Sequence, residues 1–185
     1  LAVPGAKDPD EFIREHGEEG QARFRQLLEN SANDVEYRLN KLKKSFDFSK
    51  DGTAPFYINY MKKLQEAYPR EQIGFCYGYE GPITTAYILR DMNVFYDPLD
   101  SPERFKEFLV YLTQSIIEFR KFYLEVNKVP SFEQSDAGLC DDVASLYSPS
   151  MWKEFVLPYW DRYYGASTDG KRFVHCENLT KEHLP

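Results

Sequence analysis

One apolar stripe constrains this chain more than any other feature. Phe105, Phe108, Leu109, Leu112, Ile116, Phe119, Tyr123 and Val126 recur at the spacing that lines one face of an α-helix. Ser101-Pro102-Glu103 opens the stripe, with Ser as N-cap and Pro at the first helical position. Pro130 closes it, so the spacing predicts a helix of about 25 residues.

The segments around this helix read as strands and further helices. Gln72-Ile73-Gly74-Phe75-Cys76-Tyr77 is short, apolar and aromatic, and is bounded by Gly78 and Gly81-Pro82, which predicts a strand. A second strand is expected over Phe132 to Cys140, and a third over Arg172-Phe173-Val174-His175-Cys176. Thr84 to Arg90 reads as helix, and Asn93 to Pro98 breaks it. Ser148-Pro149 opens a helix carrying Trp152, Phe155 and Val156, with a kink expected at Pro158 and an end near Gly165 and Gly170. Strands alternating with helical crossovers predict an α/β fold, with a parallel sheet and helices outside it.

The first 70 residues read as a helical extension. Asp8-Pro9-Asp10-Glu11 carries an N-cap acid, proline at N1 and an acid at N3, and predicts a helix running to about Asn30. Val35, Leu39, Leu42 and Phe46 predict a second helix; Ile58, Met61, Leu64 and Tyr68 predict a third, stopped by Pro69. The expected organisation is one domain over residues 1–185, with a helical N-terminal extension (1–70) packed on βα units (71–185).

Charge and cysteines narrow the function. The net charge of −7 and the lack of a basic patch argue against nucleic acid. No run approaches the roughly 18 apolar residues of a membrane helix, and no signal peptide is visible at the start. Three widely spaced cysteines, an odd number, argue against a disulfide framework and for a reducing, cytoplasmic setting. His16 and His183 lie among charged residues and are expected at the surface.

In parallel α/β folds, ligands bind at the carboxyl ends of the strands. After the first predicted strand come Tyr77, Tyr79 and Glu80, candidates for substrate contact. After the second come Asp141 and Asp142, a candidate acid/base or metal-binding pair. Adjacent residues on extended backbone point to opposite sides, so at most one of the pair should face a pocket while the other caps a loop or binds backbone amides. At the third come His175, Cys176, Glu177 and Asn178. Histidine, thiolate and carboxylate are all zinc ligands, and Asn178 is a further candidate for substrate contact.

These residues carry a resemblance. Gly81-Pro82-Ile83-Thr84-Thr85-Ala86 and Ser101-Pro102-Glu103 resemble a segment of the uroporphyrinogen decarboxylase superfamily. So do Cys140-Asp141-Asp142-Val143-Ala144-Ser145-Leu146, then Ser148-Pro149 and Phe155-Val156-Leu157-Pro158-Tyr159. Val174-His175-Cys176-Glu177 resembles the strand that carries the metal ligands of its methyltransferase branch, although here Cys176 follows His175 directly. The resemblance spans Ile73 to Leu184. It implies a (β/α)₈ TIM barrel, here partial: about three strands of eight in a chain shorter than the roughly 250 residues of a full barrel. A fragment or degenerate barrel leaves sheet edges open, so either a homodimer or mobile regions are expected.

The resemblance also implies activities. The favoured one is a corrinoid-linked, metal-assisted methyltransferase, with zinc held by His175, Glu177 and Cys176 and the corrinoid carried by a partner protein. The alternative is a decarboxylase acting on a tetrapyrrole without a cofactor, with Asp142 or Tyr87 placed at a pyrrole N–H; Asp141 stays a catalytic candidate as the neighbour of Asp142. A third reading is a non-catalytic binding or assembly module.

Overall fold

The chain divides into two compact units, Leu1–Tyr37 and Arg38–Pro185. The computed structural model describes residues 5–29, 34–129 and 136–183. The expected helix end at Asn30, the closing Pro130 and the first part of the second expected strand, residues 132–135, lie outside the described residues.

In the first unit, α1 (Pro9–Glu15) begins as its sequence predicts: the Asp8 carboxylate accepts the Glu11 N–H at 2.9 Å. The helix does not run on to Asn30. Gly17 turns the backbone to φ +56°, a 3₁₀ turn covers Gly17–Glu19, and α2 (Gly20–Glu29) starts afresh. A Cβ on Gly20 would lie 2.0 Å from the Ile13 carbonyl oxygen, so the approach of α2 to α1 requires glycine. Phe12 is buried beneath the rings of His16 and Phe24, and His16 Nδ1 lies 2.8 Å from the Phe12 carbonyl oxygen. His16 is thus half-buried rather than a surface group.

α3 (Asp34–Leu42) straddles the boundary in sequence and stops short of Phe46. The second unit continues with α4 (Ala54–Ala67), α5 (Pro82–Arg90), a 3₁₀ turn over Asp91–Phe95 and the short α6 (Asp97–Asp100). Across that turn, Arg90 donates two bonds to the Asp97 carboxylate, Nε–Oδ2 at 2.7 Å and Nη2–Oδ1 at 2.6 Å. The pair is buried and bidentate, which fixes the bend as well as the charge.

The apolar stripe is α7 (Pro102–Val126), 25 residues long, as its spacing predicts. Its Phe105, Phe108, Leu109, Leu112 and Ile116 form one core with β1 (Ala137–Cys140), α8 (Pro149–Phe155) and α9 (Leu157–Ser167). Aromatic side chains dominate that core: Trp152, Phe155, Tyr159, Trp160, Tyr163 and Tyr164 are all buried. The kink expected at Pro158 is a full break. Val156, at φ −117° and ψ −62°, separates the two helices, and Pro158 then sits in the first turn of α9, where no N–H is needed. Gly165 lies inside α9 instead of ending it.

β2 (Arg172–His175) pairs in parallel with β1, from Ala137 opposite Arg172 to Cys140 opposite His175, and α8 and α9 form the crossover. This is the whole sheet among the described residues. The expectation of a partial (β/α)₈ barrel is therefore corrected: the unit is mainly helical, with two short parallel strands and no barrel. The expected strand over Gln72 to Tyr77 does not form a ladder. The Phe75 N–H donates to the Asn127 side-chain oxygen at 2.7 Å, and the Phe75 carbonyl accepts from the Asn127 amide nitrogen at 3.0 Å. A side chain thus takes the bonds a neighbouring strand would have made. One backbone bond, Gly81 N–H to the Cys140 carbonyl at 2.6 Å, ties the end of this segment to β1. No described helix is long and apolar enough to cross a membrane.

Candidate functional site

The carboxyl ends of β1 and β2 hold two different environments side by side. The first is centred on Asp141, which is fully buried. Its carboxylate accepts the Thr84 N–H at 2.6 Å, the Ile83 N–H at 3.3 Å and the Trp160 indole N–H at 2.7 Å. Two of these donors are first-turn amides of α5, which have no partner inside their own helix. Asp141 therefore joins β1, α5 and α9 at one point. A Cβ on Gly81 would sit 2.4 Å from the Asp141 carboxyl carbon, so the carboxylate reaches the helix only because residue 81 is glycine. Burial pushes the Asp141 carboxyl above the usual range, while the bonds from Trp160, Thr84 and Ile83 pull the other way.

The second environment is the exposed rim. His175 Nε2 lies 3.7 Å from Asp142 Oδ1 and 3.9 Å from Glu177 Oε1. The Glu177 N–H donates to Asp142 Oδ1 at 3.1 Å, and Ser145 Oγ donates to the Asp142 carbonyl at 2.8 Å. Asp142 is thus held from its backbone and from one carboxylate oxygen, and faces the imidazole. Asn178 follows in the left-handed region at φ +60°, a conformation asparagine tolerates.

Cys176 belongs to neither group as a ligand. Its thiol donates to the Asp141 carbonyl at 3.2 Å, and burial together with the neighbouring Asp141 and Asp142 charges pushes its pKa up to about 11. The sulfur thus has a backbone carbonyl oxygen as its partner. Among the described residues no three His, Cys, Asp or Glu side chains form a group able to hold a metal ion. The donor set therefore does not fit the zinc site that the resemblance implies.

The remaining expected site residues are dispersed. The Tyr79 hydroxyl lies 3.0 Å from that of Tyr163, which donates to the Gly138 carbonyl at 2.9 Å; burial raises the Tyr79 pKa. Tyr79 also lines a cleft of about 280 Å³ on the sheet face with Cys140, Phe173 and His175. Tyr77 turns away, its hydroxyl 2.9 Å from Thr53 Oγ1, and it lines a separate cavity with Glu80. Tyr87 is half-buried on α5, its ring 6.2 Å from Phe95.

Sequence reasoning missed Trp160 and His183. Trp160 carried a signal: a buried indole N–H must find an acceptor. His183 is buried, not at the surface; its Nε2 lies 3.0 Å from the Tyr147 carbonyl oxygen, Nδ1 accepts the Thr180 N–H at 3.1 Å, and its ring packs edge-on against Trp152.

No protein-family model matches the chain, and no solved structure matches it. Among curated proteins, a DNA primase from Clostridium acetobutylicum is 35% identical over 66 residues. That stretch is 36% of this chain, and it spans a tenth of the length of the primase, 10%.

Proposed function

We propose that this chain acts in methyl transfer to a partner-borne corrinoid, with His175 and Asp142 handling the proton at the donor. One observation carries the reading. Three sequence segments that resemble the uroporphyrinogen decarboxylase superfamily converge on one rim: Gly81 to Thr84 through Asp141, Asp141-Asp142 through the strand pair, and His175 to Glu177 through Asp142.

The corrinoid is treated as a substrate that supplies the nucleophile for the methyl group. What falls to this chain is the heteroatom left behind. As the methyl–heteroatom bond breaks, its electron pair stays on the heteroatom, which then needs a proton. A protonated His175, beside the Asp142 and Glu177 carboxylates, can give that proton and recover one from solvent. Asp142, fixed by the Glu177 N–H and Ser145, would orient the imidazole. No step runs through a metal, because the donor set does not fit one.

The likeness to a primase would favour a nucleic-acid partner, but the net charge of −7 opposes binding to phosphate backbones. Free thiols at Cys76, Cys140 and Cys176 support a reducing, cytoplasmic setting. The outer edge of β2, with exposed Phe173 and Val174, supports self-association as a homodimer.

The test is methyl transfer from a panel of methoxy and methylamine donors to a cob(I)alamin-loaded corrinoid protein. The expected result is transfer by the wild type, with the rate of His175→Ala about 100-fold lower or more. Absence of transfer from every donor, or an unchanged rate in His175→Ala, would contradict the proposal. Turnover of a coproporphyrinogen-type ligand instead would establish the decarboxylase alternative.

A further inference from the structure

A second site lies apart from the rim, in a cavity of about 390 Å³ between the segment Phe46–Ala54 and the helices α5 and α7. That volume is in the range of small-molecule pockets. Its wall is aromatic. Phe119 packs at steep angles against three other rings: Phe48 at 5.1 Å and 75°, Tyr77 at 5.6 Å and 61°, and Tyr79 at 5.9 Å and 74°. Phe46 adds a fifth ring, edge-on to Phe48 at 4.9 Å. The lining carries two carboxylates, Asp51 and Glu80, and among the described residues it includes no lysine or arginine.

This combination selects a chemical class. Ring faces carry negative quadrupole potential and attract cations. The carboxylates add net negative charge and leave an anion without a partner. The wall is too apolar to replace the hydration shell of a small, strongly hydrated cation such as a primary ammonium or a metal ion. A methylated ammonium group is weakly hydrated, has an apolar surface and still carries its charge. The Thr53–Tyr77 hydroxyl pair, 2.9 Å apart, sets a polar contact in the lining for a hydroxyl or ether carried by the same ligand.

We infer that this cavity binds a small molecule bearing a methylated ammonium group, held by Phe48, Tyr77, Tyr79 and Phe119, with Asp51 and Glu80 balancing its charge. The cavity contains neither His175 nor Asp142, although Tyr79 also lines the cleft beside His175, and its ligand binding is read without any methyl transfer.

The experiment uses calorimetric titration of the full chain with choline, tetramethylammonium and 3,3-dimethylbutan-1-ol, the uncharged isostere of choline. Saturable binding of both cations is expected, with the neutral isostere about 5- to 30-fold weaker. Asp51→Asn/Glu80→Gln should weaken choline by a similar factor, at an unchanged unfolding midpoint. Phe48→Leu, at a half-buried position, should do the same without emptying the core. Equal binding of the isostere, or no saturable binding of choline, would overturn the assignment. So would full choline affinity in the folded double variant.

Discussion

Asp141 and Asp142 are neighbours in sequence and opposites in environment. Asp141 is fully buried, accepts three N–H bonds and ties a strand to two helices. Asp142 is partly exposed and accepts one backbone bond, with an imidazole 3.7 Å away. The difference teaches how a short acidic run divides its work. The carboxylate that makes the most bonds is the least able to do chemistry, because three N–H donors hold it in place and burial keeps it from solvent. The loosely held carboxylate is free to change partners as a proton moves.

The largest effect should come from the buried member. Asp141→Ala leaves the Ile83 and Thr84 amides and the Trp160 indole without their acceptor, and should cost about 3–5 kcal/mol in denaturant unfolding. A loss under about 1 kcal/mol would mean that the clamp contributes little. Trp160→Phe removes one donor from the same carboxylate and should cost about 1.5–3 kcal/mol by the same measurement. Gly81→Ala pushes a methyl group into the Asp141 carboxyl and should cost about 1–3 kcal/mol. Combined with Asp141→Gly, which removes the Cβ as well as the carboxyl group from its path, its cost should fall; simple additivity would refute the contact.

A smaller effect belongs to Cys176, which lies between the two regions. Its pKa is raised in the folded chain from 9.0 to about 11, so its contribution to stability is complete below pH 9 and is lost as the pH rises through about 11. Between those values the wild type should lose more stability than Cys176→Ala. Iodoacetamide at neutral pH should modify exposed Cys76 well before Cys176, whose rate should climb toward pH 11. Fast modification of Cys176 at pH 7 would reopen it as a thiolate ligand. The smallest stability effect is expected at Asp142→Asn, within about 0.5 kcal/mol of the wild type.

The parts legible in the sequence were those whose causes are local. The stripe from Phe105 to Val126 states its helix within a few residues, and Asp8, Ser101 and Ser148 mark where helices begin, although the one after Asp8 ends at Glu15 and Ser101 makes no side-chain capping bond. Strand alternation anticipated that Asp141 and Asp142 would face different ways. The unreadable parts depend on distant partners. Gln72 to Tyr77 has a strand's composition, but Asn127, 52 residues from Phe75, takes its backbone bonds. His183 looks solvated among Lys181 and Glu182, yet it packs on Trp152 and faces the Tyr147 carbonyl. Cys176 offers zinc chemistry by type, and only its bond to the Asp141 carbonyl shows that the thiol is engaged elsewhere. The aromatic cavity was invisible because Phe48, Tyr77 and Phe119 come from three separate segments.

The division of labour is tested most directly by single-turnover methyl transfer in Asp142→Asn, measured beside its unfolding midpoint. The account predicts a midpoint at the wild-type value and a transfer rate about 10- to 100-fold lower, because the imidazole loses the carboxylate that orients it. A wild-type rate in a folded Asp142→Asn protein would contradict it.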